Sequence, residues 1–321
     1  SPWAQTLDRL VRTESARLLC LDVVGGGPTT PVLLTGTMSG LAQIVWPDPP
    51  VPWRPGPAPV RSLAATHDGL GRAIVFAVGG DDRVWCRTPD GWLRSEIRTL
   101  GEANAVRGAD GLVSCHLAAA DGVHSLTVDA SGELRKGFTP HVWPRGRHDI
   151  VGVHHAPGSG RALLVNGESG LSLLIDEDGG LAVLPVTAGP VGAAAVAQNM
   201  FGLIEVMAAE PGGRTVHRWE LMAGELDQLD PLDAGGPVTS LAFVSHRTGL
   251  TAAFGGPHGV HLYQEGPDRT GSWLEQTAGV CTRVVIKPTA SWPLQLAALV
   301  DGAPLSWTET DPGRWTARRL S

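Results

Sequence analysis

Residues 73–96 read AIVFAVGGDDRVWCRTPDGWLRSE, and this stretch decides the fold. An apolar run, Ala73-Ile74-Val75-Phe76, leads to a turn glycine, Gly80. A second run follows with Val84-Trp85 at its centre, and a second turn at Asp90-Gly91 gives way to a third run opened by Trp92. Short β-branched and aromatic runs bounded by Gly, Asp and Pro are strands. Glycine supplies the positive φ that a tight hairpin turn demands. The stretch therefore predicts antiparallel strands joined by hairpins.

The same unit recurs along the chain. Its turn glycines are Gly40, Gly80, Gly122, Gly170, Gly213, Gly259 and Gly302, spaced by roughly 40 to 48 residues, which is the period of a four-stranded propeller blade. Comparable runs precede each glycine, among them Val32-Leu33-Leu34, Ala162-Leu163-Leu164-Val165 and Leu294-Gln295-Leu296-Ala297. Second turns follow at Ser131-Gly132, Asp178-Gly179, Ala223-Gly224, Thr270-Gly271 and Pro312-Gly313, with Pro47-Asp48-Pro49-Pro50 in the first unit. Outer strands open on Trp53, Trp92, Trp273 and Trp315, and three inner strands begin at Pro59-Val60, Pro190-Val191 and Pro237-Val238. The expected fold is all-β: a seven-bladed β-propeller of four-stranded antiparallel blades over residues 17–321. A closed ring of this kind protects its sheet edges. Residues 1–16 stand outside the repeat as an N-terminal extension, either a helix capped by Thr6 with Leu7, Leu10 and Val11 on one face or an extra outer strand in which Trp3-Ala4-Gln5 copies Trp92-Leu93-Arg94.

Composition narrows the function classes. The 321 residues carry Gly 42 and Pro 25, as an all-β chain with many turns requires, and a hydrophobic content of 42% supplies a core. The formal charge of −7 comes with two lysines, Lys136 and Lys287, and scattered arginines. No concentrated basic face is present to neutralise phosphates, so no nucleic-acid partner is expected. No apolar run approaches the ~18 residues of a membrane span. The chain begins at Ser1, in keeping with a module of a larger protein or complex. Cys20, Cys86, Cys115 and Cys281 lack CxxC spacing and read as buried free thiols, with a Cys20–Cys281 bridge at ring closure as the alternative. Free thiols favour a reducing, cytoplasmic setting.

The third strands align a set of candidate ligand-binding residues. Trp85, His124, His217 and His261 occupy equivalent positions, and Trp219, Tyr263 and Trp307 stand two residues after that position in their own units. Strand alternation puts each pair on one face of its blade, either packed against the next blade or lining a small pocket in which aromatic faces stack on a sugar. The strings Val216-His217-Arg218-Trp219-Glu220, Val260-His261-Leu262-Tyr263-Gln264 and Val84-Trp85-Cys86-Arg87 resemble the repeat core of bacterial lectin-like and tectonin-like β-propellers. That resemblance implies sugar binding. The architecture is WD40-like, but the Gly-His and Trp-Asp dipeptides of WD40 repeats are missing.

Catalytic signatures are absent: no Gly-x-Ser-x-Gly elbow, no phosphate-cradling glycine loop, no His-Glu-x-x-His. His154-His155 point to opposite faces of a strand, His258-x-x-His261 spans a turn, and Asp176-Glu177-Asp178 reads as a solvated hairpin tip, so neither metal nor cofactor is expected. The sequence thus points to a non-catalytic module that binds a protein or peptide partner. Its expected partner face carries the hairpin tips Asp81, Asp82, Asp121, Glu168, Glu210, His258 and Asp301. The alternative is a lectin with carbohydrate pockets between blades. A third reading is a propeller hydrolase or lyase with its site at the channel mouth.

Overall fold

A computed structural model describes residues 20–26, 30–45, 51–53, 56–156, 160–177, 180–246, 249–288, 294–311 and 314–319. The expected ring is there. Seven four-stranded antiparallel sheets follow one another in chain order, and each consists of four consecutive strands. Blades 1 to 7 span 20–52, 60–98, 106–140, 148–185, 193–233, 240–277 and 281–319. The inner strand of each blade packs beside the inner strands of its two neighbours, and Cys20–Gly26 of blade 1 meets Cys281–Pro288 of blade 7 to close the ring. Residues 1–16, Pro47 to Pro50, Asp178 and Pro312-Gly313 lie outside the described residues. Among those described, no helix is long and apolar enough to cross a membrane.

Burial explains the sequence pattern strand by strand. The second strand of blade 2, Ala73–Gly79, is buried along nearly its whole length. Ile74, Phe76 and Val78 pack toward blade 3 against Val113, Cys115 and Leu117, whereas Val75 and Ala77 join Val60, Leu63 and Leu34 toward blade 1. A strand covered on both faces must be apolar at every position, which is why these runs do not alternate. Outer strands face solvent and alternate only weakly, as along Glu225–Asp233. At Gly122 and Gly259 the repeat glycine opens the third strand at φ 151° and 110°. A Cβ there would overlap the carbonyl oxygens of Thr139 and Thr277 at the end of the outer strand. The repeat glycine thus answers two demands at once: a left-handed backbone and a close approach of two chain segments.

All four cysteines are free and buried. Burial raises the thiol pKa of Cys20 and Cys115 to about 12 and that of Cys281 to about 11.

Blade 3 departs from the repeat. Its inner strand is only Val106–Arg107, whereas the neighbouring inner strands run eight and nine residues. Above it the ladder is continued by a side chain: the Asn104 carboxamide accepts from the His116 backbone N–H at 2.9 Å and donates to the His116 carbonyl. The apolar seam between blades 3 and 4 is correspondingly small. It holds five buried residues, Val123, Ile150, Leu163, Val165 and Leu174, against twelve between blades 2 and 3. Ala118, Trp143, Val153 and Leu181 pack at its margin, and toward the turns that join first and second strands the seam is polar.

Candidate functional site

The polar part of the seam is a cleft of about 410 Å³ between blades 3 and 4. One wall belongs to blade 4. His155 on the inner strand pairs directly with Arg161 on the second strand, Gly160–Gly167, and the third strand brings Asp176 alongside. Directly paired residues of an antiparallel sheet share a face, so an imidazole, a guanidinium and a carboxylate form a row toward blade 3. The facing wall is built by Val113–Ala119 and Gly122–Val128, where Ser114 pairs with Thr127 and His116 with Ser125. Asp110, in the turn after the shortened inner strand, sits at the rim, its carboxylate accepting from the Leu112 N–H at 3.0 Å. Gly108 keeps the opening clear, since a side chain there would crowd Asp110 and approach His155 Nε2.

Hydrogen bonds fix the protonation pattern. Arg161 donates through Nε and Nη2 to Asp176 Oδ1 at 3.2 and 2.7 Å, and through Nη2 to Thr139 Oγ1 at 3.2 Å. Its Nη1 lies 3.3 Å from His116 Nδ1. Arginine can only donate, so Nδ1 accepts and Nε2 carries the proton, which it gives to Ser114 Oγ at 2.9 Å. Burial, reinforced by the Arg161 charge, lowers the His116 pKa to about 3 and keeps the ring neutral. Ser114 therefore faces an imidazole N–H and not a lone pair. It is not an activated nucleophile, because activation needs a base at the hydroxyl. His155 has no hydrogen-bond partner among the described residues, and one Nη1–H of Arg161 is likewise unengaged. The cleft thus presents one available base, one charge-assisted donor and three hydroxyls.

The channel mouth is differently arranged. Arg61 collects the carbonyls of Thr99, Leu100 and Gly101 and pairs with Asp82 at 3.3 Å. Arg147 pairs with Asp149 at 3.0 Å and donates to Leu100 O. Glu102 reaches Arg283 of blade 7 at 2.8 Å. These charges engage one another.

The candidate ligand-binding and partner-face residues of the sequence lie elsewhere. Trp85, His217 and Trp219 are half-buried, less than packing largely buried between blades requires, whereas Tyr263 and Trp307 are buried. Their ring contacts stay within single blades: His124 with Phe138, His217 with Trp219, and His261 and Tyr263 with Trp273. Asp81, Asp82, Asp121, Glu168, Glu210, His258 and Asp301 occupy turns between second and third strands, on the ring face opposite the cleft. Asp81 pairs with Arg94 at 2.9 Å, Asp121 with His124 at 3.1 Å, and Asp301 accepts from the Val280 N–H. His116, Arg161, Ser114 and Asp110 escaped the sequence reading. The signal that marks them is the missing inner-strand run between Arg98 and Val113.

No protein-family model and no curated protein matches the sequence. Solved structures do. A streptogramin B lyase is 14% identical with a TM-score of 0.58, over 88% of this chain and 90% of the other. A putative 6-phosphogluconolactonase from Bacteroides fragilis is 13% identical with a TM-score of 0.59, over 95% and 94%. A catalytically inactive virginiamycin B lyase from Staphylococcus aureus, a His-to-Ala variant with quinupristin, is 13% identical with a TM-score of 0.57, over 82% and 85%. At this identity the likeness establishes the propeller fold. It also corrects the functional expectation: these three structures are two lyases and a putative 6-phosphogluconolactonase, so the resemblance to lectin-like and tectonin-like propellers, and with it the non-catalytic protein-binding or lectin reading, is set aside.

Proposed function

We propose that this chain is a propeller enzyme of the lyase or lactonase type, acting on a carbonyl-bearing small molecule in the cleft between blades 3 and 4. The observation that carries the reading is the direct pairing of His155 with Arg161 over a cavity of about 410 Å³, a size within the usual range of small-molecule sites. Lactone hydrolysis and elimination next to a carbonyl share two needs: a base to take a proton, from water or from carbon, and a donor for the oxygen that gains charge. His155 is the base. The unengaged Nη1–H of Arg161 is the donor, and its guanidinium is held in place by Asp176, Thr139 and His116. A proton taken by His155 is returned to the leaving oxygen. Ser114 orients the substrate through its hydroxyl and forms no acyl-enzyme. Similarity to a streptogramin B lyase and a putative 6-phosphogluconolactonase supports the reaction class.

Steady-state assay of the purified chain against a panel of lactones and activated esters tests this. The expected result is turnover that falls by about 10² to 10⁴ in H155A, with circular dichroism and melting unchanged. Equal turnover in H155A and the parent chain would remove His155 from the chemistry and sink the reading.

A further inference from the structure

We infer that the same cleft selects by charge, taking uncharged carbonyl compounds and turning away phosphorylated or carboxylated ones, and that Asp110 at its rim sets this preference. The inference rests on the enzymatic reading of the cleft and narrows its substrate class.

A site built for phosphate or carboxylate offers a guanidinium fork, a run of backbone N–H groups, or both. Here the guanidinium fork and the Leu112 N–H are already taken. The fork of Arg161, Nε and Nη2, is closed on Asp176 Oδ1. Its Nη1 is turned to His116. At the rim the Leu112 N–H is held by Asp110 itself. Arg161 is the lone cation among the lining residues, against two carboxylates, Asp110 and Asp176, and His116 is kept uncharged by burial. What remains is the His155 imidazole and the hydroxyls of Ser114, Ser125 and Thr127. Gly137, the cross-strand partner of Ser125, leaves that hydroxyl uncovered, because a Cβ at 137 would overlap Ser125 Oγ. An arriving anion meets an exposed carboxylate at the rim and finds inside a guanidinium already paired with Asp176, with one Nη1–H left over. An uncharged lactone meets hydroxyls and one charged donor at its carbonyl.

The experiment uses a matched pair of unreactive probes, δ-valerolactam and its carboxylated derivative, with binding followed through the His155 and His116 imidazole NMR signals in the whole chain. Turnover of the corresponding lactones is measured beside it. The uncharged probe is expected to bind about tenfold more tightly at low salt, and about 0.5 M salt should erase most of that ratio. Asp110→Asn keeps the bond to the Leu112 N–H and should shrink the ratio by about three- to tenfold. Tighter binding of the carboxylated probe, or a ratio untouched by both D110N and salt, overturns the inference. Binding with the expected charge preference but no turnover leaves the inference standing and removes the enzymatic reading. Failure of both probes to move the His155 signal overturns both.

Discussion

The Glu102 carboxylate, in the segment entering blade 3, lies 2.8 Å from the Arg283 guanidinium on the inner strand of blade 7. These blades are not neighbours, so the pair spans the channel. Four residues further along the same strand, about 13 Å away at the usual strand rise, Lys287 reaches Asp22 of blade 1 at 3.0 Å and the Ala65 carbonyl of blade 2. The channel is thus crossed at two levels. Arg283 holds the Glu102 carboxyl below its ordinary pKa. A depressed carboxylate pKa stabilises the fold above the unfolded value and loses that contribution as pH falls through the folded one. Both side chains keep contact with water, at 58% and 33% exposure, so the pair is of the solvated kind. E102Q should shift unfolding free energy by less than about 1 kcal/mol in chemical denaturation.

Arg218 is the opposite case. Its guanidinium meets Glu205 at 2.9 Å and Glu265 of the next blade at 2.6 Å, with all three side chains at 5% exposure or less. Burial raises the Glu205 pKa. R218M leaves two buried carboxylates without their cation and should cost about 3 to 5 kcal/mol, whereas R218M/E205L/E265L should recover most of the loss. Urea melts of the three proteins decide the matter, and a single variant as stable as the parent contradicts the account.

Acid should destabilise the chain partly through His116. The ring titrates at about 3 when folded and near 6.5 when unfolded. Above the unfolded value neither state binds the proton, so nothing is lost. Between the two values only the unfolded chain binds it, and stability drops by about 1.4 kcal/mol per pH unit for this one group. H116N should flatten the slope of stability against pH between about 6 and 4 by that amount.

Two tryptophans with similar sequence surroundings should respond differently to truncation. Trp307 is buried at 3% exposure, and W307A should cost about 3 to 5 kcal/mol. Trp219 is half-buried, and W219A should cost distinctly less. Equal losses in thermal or urea unfolding would show that exposure does not separate them.

Burial that lifts Cys20, Cys115 and Cys281 far above the pH of ordinary alkylation also hides them. The reactive species is the thiolate. Iodoacetamide at about pH 8 should leave the native chain unmodified and label all four cysteines once it is unfolded, as read by mass spectrometry.

The ring was legible because each blade is local: turn glycine, apolar run and hairpin recur within about 45 residues and need no distant partner to be recognised. Packing that depends on neighbouring blades was less so. The equivalence of Trp219, Tyr263 and Trp307 in sequence conceals a half-buried Trp219 beside a buried Tyr263 and Trp307. The cleft was hidden for the same reason. His116, Arg161 and Asp176 come from two blades and three strands, and only ring geometry brings them within hydrogen-bond reach. His155 and Asp176 did stand out in the sequence, but as members of a His-His pair and an acidic tip. Neither context pointed to Arg161.

Each of the seven sheets is woven from its own stretch of chain, and among the described residues no blade borrows a strand from the far end of the polypeptide. Among the described residues the ring therefore has no backbone clasp. What fastens blade 7 to blade 1 is side-chain work, with Lys287 reaching over blade 1 to blade 2 like a hook through two eyes. Each sheet needs only its own hairpins, whereas closing the circle needs contacts between strands more than two hundred residues apart in the chain.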